Sequence, residues 1–583
     1  MRILKLLPLL YSIHLMGQEK VETFSYSDSI VLDSIVFQNQ ENSFQEDDNL
    51  ILLGFDLFEC TTLSNFGSPL LALWWKSKHN MHLQIGDLLV QNHVPKDYYG
   101  SYYSHTFPQT KIIYSQTYSD GQRLNFTHRR RYKYGSASID YSRQVSEGYL
   151  AHENMNNTRF KIEGNFYHPE IPFSSKWRIR TYKNVSEWNG GISNDSLFLS
   201  GNESNWELLP THWNQLNSIS KHIEINVHQR KEISDNASLV YEMNFSRDSL
   251  LYDGLEDDTL FYPTRTDSVS QITRAFNYSN HLLKWIQKIN SDKQMTLGME
   301  YQNLKYFSQK NRRWNVFGKL VSEQYKNQIY FAYGLGDLSM PSLNLCFRQK
   351  VKFIGCINTF KIASERNLPS WMNMNTNSNP MGKEEIYPST SNQVIIDKYA
   401  DWEIKITDKI RILNSYHNIE GYNYFDEEGI STTSQEKIDI FQSRIDHRLT
   451  KDAWHLDGTI GYQFSSNIAI SLPKLMFRQK LYWQGNLFEE ASISQMGIRL
   501  LYKSAHPGMS YAPLLGDFYI NPSNATSNSI RADLFVNFQI QSLKVFLSYE
   551  HFNGLWQGTQ YILKPYPMAK STFRLSLIWN FYD

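Results

Sequence analysis

From about residue 106 to the end, apolar and polar positions alternate over segments of roughly ten residues, the period-two mark of strands that hide one face. The clearest segment is Ile530 to Gln541. Ile530, Ala532, Leu534, Val536, Phe538 and Ile540 fall on one face; Arg531, Asp533, Asn537, Gln539 and Gln541 fall on the other, with Phe535 the apolar intruder. Leu543, Val545, Leu547 and Tyr549 then oppose Lys544, Ser548 and Glu550, and Phe573, Leu575, Leu577, Trp579 and Phe581 oppose Thr572, Arg574, Ser576 and Asn580. Ile223, Ile225 and Val227 alternate in the same way with His222, Glu224, Asn226 and His228.

A soluble sandwich also alternates. Three features favour a membrane barrel. The polar face is charged, as a wet lumen requires. Tyr132, Tyr134, Tyr549, Phe552 and Tyr582 sit at strand ends, where interfacial girdles belong. The last strand also runs to Asp583. Connectors differ in length: Ser119 to Gly121, Lys133 to Gly135 and Gln541 to Ser542 are tight, whereas Glu187 to Trp213, Leu250 to Asn277 and Leu368 to Thr390 are long and polar. Short turns on one rim and long loops on the other are the outer-membrane arrangement. The expected fold is all-β: one large transmembrane antiparallel β-barrel of roughly 18–22 strands. So wide a ring is not filled by its own wall, and a channel or a plug must occupy it.

Composition sharpens this reading. Aromatic residues are 14%, with Tyr 37 and Phe 33, yet no run of about 20 apolar residues follows the N-terminus, which excludes helical spans. Lys+Arg 58 balance Asp+Glu 58, against a nucleic-acid partner. Arg2, Lys5, the apolar stretch Ile3 to Met16 and the Gly17-Gln18 junction read as a cleaved signal peptide, residues 1–17. Residues 18–78, polar and acidic with a linker-like stretch from Asn39 to Asn49, form an N-terminal periplasmic segment that could enter the lumen; residues 79–583 form the barrel. Cys60, Cys346 and Cys356 make no disulfide framework and no Cys-x-x-Cys pair.

Catalytic patterns are absent: there is no Gly-x-Ser-x-Gly, phosphate-binding loop or His-Glu-x-x-His. Gly334-Leu335-Gly336 lacks a third glycine and reads as a turn, and Ser104 and His105 point oppositely on a strand. His222 and His228 lie six apart on one face and read as solvated lumen residues. The expectation is no enzyme, no metal and no cofactor. The basic run His128-Arg129-Arg130-Arg131 allows two readings. Arg123, Arg129 and Arg131 could join Asn125 and Thr127 in a positive lumen ladder that favours anions. Alternatively the run is a rim cluster on lipid phosphates, which the neighbouring Tyr132 and Tyr134 favour. Arg531, Asp533, Asn537 and Arg574 are expected to line the lumen as well.

Several stretches resemble one family. Thr61-Thr62-Leu63-Ser64-Asn65-Phe66-Gly67-Ser68-Pro69 resembles the opening motif of the putative porin family of Bacteroidota-type outer membranes, and Tyr102-Tyr103-Ser104-His105-Thr106-Phe107-Pro108 the segment leading into its first strand. Tyr511-Ala512-Pro513, Phe518-Tyr519-Ile520-Asn521, Tyr549-Glu550-His551-Phe552-Asn553, Pro565-Tyr566-Pro567-Met568 and the end from Phe573 to Asp583 are similar to its last-third motifs. The resemblance implies an exported outer-membrane barrel with porin-like passage of small hydrophilic solutes. Three functions stay open: a passive diffusion channel, an occluded transporter or partner subunit, and a barrel enzyme.

Two expectations concern assembly. Arg at Leu534 or Val536 should impair it, while Arg at Asn537 should be tolerated. The final strand should close the ring against the first, with Phe573, Trp579, Phe581 and Tyr582 as the signal that an outer-membrane assembly machine reads.

Overall fold

The computed structural model describes residues 56–75 and 108–582, apart from positions 64, 66, 169 and 428 and the stretches 118–120, 255–270, 307–308, 323–326, 337–341, 354–355, 368–394, 488–491 and 514–516. It also describes the backbone of three short strands, Glu22–Ser25, Val36–Asn39 and Ser101–Ser104, which pair in one small sheet. The expected leader, residues 1–17, lies outside the described residues.

Twenty-two strands pair neighbour to neighbour in one antiparallel closed barrel. The first is Gln109–Thr117, so no barrel strand is described between residue 79 and there. The last, Thr572–Tyr582, pairs with it from Arg574↔Thr117 to Tyr582↔Gln109. The ring therefore has no open edge, which is the condition for a sheet to stand in lipid.

Register explains how the faces separate. Directly paired residues share a face, so His128, Ile139, Ile162, Ile179, Ile225 and Phe245 form one outward row across six strands. The inner row beside it reads Thr127, Asp140, Lys161, Arg180, Glu224 and Ser246. Leu534 and Phe573 are 41% and 50% exposed on the outer surface, whereas Asp533 and Ser576 on the inner one are fully buried.

The strands are longer than about ten residues on one side of the ring. Phe173–Trp188, Leu216–Ser234, Ala237–Asp253 and Gln271–Lys288 run for 16, 19, 17 and 18 residues. A membrane-crossing strand needs about 9–11, so these strands are longer than a crossing requires. The long connections, among them 189–215, 421–437, 504–528 and 551–571, all lie on one rim. Tight links such as 235–236, 408–409, 452–453 and 541–542 lie on the other, as does Lys133-Tyr134. The short link 118–121 is an exception, since it joins two strands at the long-loop rim.

Candidate functional site: the occupied lumen

The inner segment 56–75 does not hang beneath the barrel. Asn65 is fully buried; its amide donates to the Glu153 carbonyl at 2.5 Å and accepts from Ser146. Gly67 lies against Gln144 and Asn157. These contacts fix the middle of the segment, the bend between the paired residues Cys60–Thr61 and Leu71–Ala72, on the strands Gly135–Ser146 and Met155–Tyr167. Both ends meet strands around Trp454–Ser465, eight strands away by the shorter path round the ring. There Asp56 pairs with Arg478, and Glu59 lies 3.6 Å from Arg444. Gln463 makes two further polar contacts to the segment. Its Nε2 donates to the carbonyls of Leu73 at 2.6 Å and Pro473 at 3.1 Å, and its Oε1 accepts from the Trp75 N–H at 3.2 Å.

Apolar packing supplies the larger force. Phe58, Leu63, Leu71, Leu73 and Trp74 are buried in one cluster with Met155, Trp188, Tyr252, Met476 and Tyr511. Each such side chain contributes roughly 1.5–3 kcal/mol by leaving water, against about 0–1 kcal/mol for a partly exposed ion pair such as Asp56–Arg478. The wall makes room for the segment at Gly461, where a Cβ would lie 2.5 Å from the Trp74 ring and 2.8 Å from the Phe58 ring. Those two rings pack against each other at 5.4 Å.

Three long loops close over the segment. Trp188 stacks on Tyr511 at 5.3 Å, and Tyr511 meets Phe518 edge-on at 5.1 Å. Tyr252 donates to the Pro513 carbonyl. The loop 189–215 is tied to the loop 551–571 by Ile192 N–H to Pro565 O at 3.0 Å, Thr559 to Phe198 O at 2.9 Å and Tyr561 to Asp195 at 2.8 Å. At Gly191, with φ +82, a Cβ would lie 2.6 Å from Pro565, so the two loops touch backbone to ring. Burial opposes ionisation of Asp195, but the Lys564 ammonium and the Tyr561 hydroxyl hold its carboxyl below the usual range. His506, in the loop 504–528, is pushed down to about 3, first by burial and then by Lys503. It is within 3.0 Å of both Ser471 Oγ and the Pro507 carbonyl.

From the strand Gly135–Ser146 to the strand Ala237–Asp253 the inner wall is ionic. Lys161 sits 3.0 Å from Asp140 and 3.3 Å from Glu163, and Glu163 accepts from Arg178 at 3.1 Å. Arg180 pairs with Glu224. His222 is buried, not solvated as expected: its Nδ1 is 2.6 Å from Asp248 and its Nε2 3.5 Å from Glu224. Both carboxylates lie one or two strand positions away, and nothing in the His222-to-His228 spacing signals them.

The expected lumen residues can now be placed. Arg123, Asn125 and Arg129 share the inner face, with Arg123 Nε donating to Asn125 at 3.2 Å. Arg131 is exposed at the short-turn rim, where Arg130 stands 5.5 Å over Tyr132 on the outside. The basic run thus divides between lumen and rim. Arg531 and Asp533 pair at 2.8 Å, and Arg574 pairs with Glu550 at 2.8 Å, all facing inward. Asn537 is 2% exposed and donates to Gln495 at 3.2 Å, so the inner face is packed at that level and does not offer the open water that a tolerated Arg was expected to meet. Phe573 and Trp579 face outward, and Trp579 packs on Phe581 at 4.3 Å. Among the described residues no group of three or more His, Cys, Asp or Glu is placed to hold a metal.

Known proteins bear on this geometry. A family described as putative porin matches residues 37–583. No curated protein matches the sequence significantly. Among solved structures, the FrpB iron transporter from Neisseria meningitidis is similar at TM-score 0.60 and 8% identity, over 82% of this chain and 83% of that one. The copper transporter OprC gives 0.60 and 9%, over 81% and 80%. A mutant of the ferric enterobactin receptor PfeA from Pseudomonas aeruginosa gives 0.59 and 11%, over 82% and 81%. At these identities the likeness is one of fold.

Proposed function

We propose that this chain, which belongs to the putative porin family, is a gated outer-membrane channel for small solutes, not a permanently open one. The observation that carries the reading is the segment 56–75 anchored on both sides of the lumen beneath interlocked loops. A ring of this strand number is too wide to be filled by its wall, and barrels of such width hold either water or a plug. Here, among the described residues, the filling is a short stretch of the same chain, supported by the loops. Solute would pass when Phe58 and Trp74 leave the Gly461 niche. Among the solved structures that share the fold are an iron and a copper transporter, which fits a role in the passage of solutes. Export by the leader 1–17 and reading of the Phe573 to Tyr582 strand by the assembly machinery complete the proposal, and no catalytic residue is needed.

Planar-bilayer recording tests it. The full chain should insert silently or with brief openings, and a variant lacking residues 56–75 should conduct steadily. A full chain that conducts as steadily as the deletion would overturn the gate.

A further inference from the structure

A cavity of about 120 Å³ lies at the gate itself, between the inner segment, the strands on either side of Ser529–Ile540 and the loop 551–571. Its lining is of two kinds. Phe58, Leu73, Met476, Ile562 and Met568 are apolar, while Lys503, Arg531, Glu550 and Arg574 carry charge.

Cations gather along one side of it: Lys503, Arg531 and Arg574, with Lys570 beside them. Arg531 is shared between Asp533 at 2.8 Å and Glu550 at 3.2 Å. Arg574 takes the other oxygen of Glu550 at 2.8 Å, and Arg499 reaches Asp533 at 3.4 Å. Three guanidinium groups thus divide two carboxylates. Lys503 adds a fourth cation, 8% exposed. Its ammonium makes one hydrogen bond, to the Ile562 carbonyl at 2.8 Å, and no ion pair among the described residues. Buried lysines are rare without an acid partner, since an uncompensated charge is costly to desolvate. An ammonium has three donors, and here one is used.

We infer that this cavity binds a small carboxylate with a short apolar chain. The carboxylate would meet Lys503 and the shared guanidinium of Arg531, and the chain would lie against Phe58, Met476 and Met568. Size sets the upper limit. A protein cavity of about 150 Å³ holds benzene, with six heavy atoms; this one is somewhat smaller, so butyrate, also of six heavy atoms but flexible, stands at the limit. The inference rests on the gate reading and deepens it: Phe58 and Leu73 belong to the inner segment, so an occupant would touch the gate directly.

Calorimetric titration of the folded full-length barrel in detergent tests this with three probes: sodium butyrate, the neutral butyramide and inorganic phosphate. Butyrate should bind at one saturable site, with butyramide and phosphate each weaker by roughly tenfold or more. Lys503→Met should weaken butyrate by a similar factor and Lys503→Arg should retain it. Met568→Trp, which fills the cavity without touching the charges, should abolish binding. Heat-modifiable gel migration reports whether each variant is folded. Absence of butyrate binding, equal binding of butyramide, phosphate binding as tight as butyrate, or unchanged butyrate affinity in folded Met568→Trp would overturn the site. Bilayer current in the 56–75 deletion reads the gate separately, so a barrel that gates without binding refutes the site alone, and one that binds while open refutes the gate alone.

Discussion

The wall of this barrel and the material inside it are held by different kinds of contact. The wall is built from neighbours in sequence: nearly every strand pairs with the ones just before and after it, and each outward side chain follows the period of two. The filling is built from residues far apart: Gln463 holds Leu73 and Trp75, and Asn65 is held by Ser146 and Glu153. The wall should therefore respond all-or-none to damage, because every strand is needed for closure. The filling should respond by degrees, because each loop and the segment add separate attachments.

Removal of Trp579 to Asp583 should have the largest effect. It takes away the pairs Trp579↔Ile112 through Tyr582↔Gln109 and leaves an edge in lipid. No heat-modifiable folded species should be recovered from membranes. A smaller wall lesion, Leu534→Arg, puts a charge on the lipid face at a cost of roughly 2–4 kcal/mol at mid-depth; folded yield should fall sharply, while Leu534→Val should leave it unchanged.

Lesions of the filling should spare the wall. Gln463→Leu removes the amide that serves the Leu73 carbonyl and the Trp75 N–H. Each buried group left unpaired costs about 1–3 kcal/mol. The variant barrel should fold, but residues 56–75 should become cleavable by added protease where the wild type is resistant. Protection equal to wild type would mean that packing and the remaining polar contacts hold the segment without Gln463.

The loop cap should give the mildest effect, and only in acid. His506 in the folded protein is neutral down to about 3, while an unfolded histidine takes a proton near 6.5. Between those values the opened loop binds more protons than the closed one, so closure weakens as pH falls. Protection factors in loop 504–528, corrected for the intrinsic pH dependence of amide exchange, should fall from pH 6.5 toward 4 in the wild type, and less so in His506→Phe. A pH-independent difference would show that this histidine does not titrate on opening.

How much of this was legible in the sequence follows the same division. The outward row from Leu534 to Phe573 could be read because lipid imposes one rule on every residue facing it. The final strand's pairing with the first could be argued from the need for closure. The inner row was read as polar, which holds for Arg123, Asp533 and Arg574, but as solvated, which fails for His222 and Asn537. Burial there depends on which carboxylate or amide stands one strand over, and no period reports that. The segment 56–75 could be marked off as distinct from the barrel, yet its seat could not be found. Its niche is a glycine, Gly461, and a missing side chain leaves no mark in a hydrophobic pattern.

That glycine offers the most direct test of whether the segment gates the lumen. Gly461→Leu leaves chain length, turns and strand pairing intact and places a side chain where the Phe58 and Trp74 rings sit. Single-channel recording of the folded variant should show steady conductance where the wild type is silent or flickers. If folded Gly461→Leu is as silent as the wild type, or the wild type is already open, the segment does not close the lumen and the account of the filling is wrong.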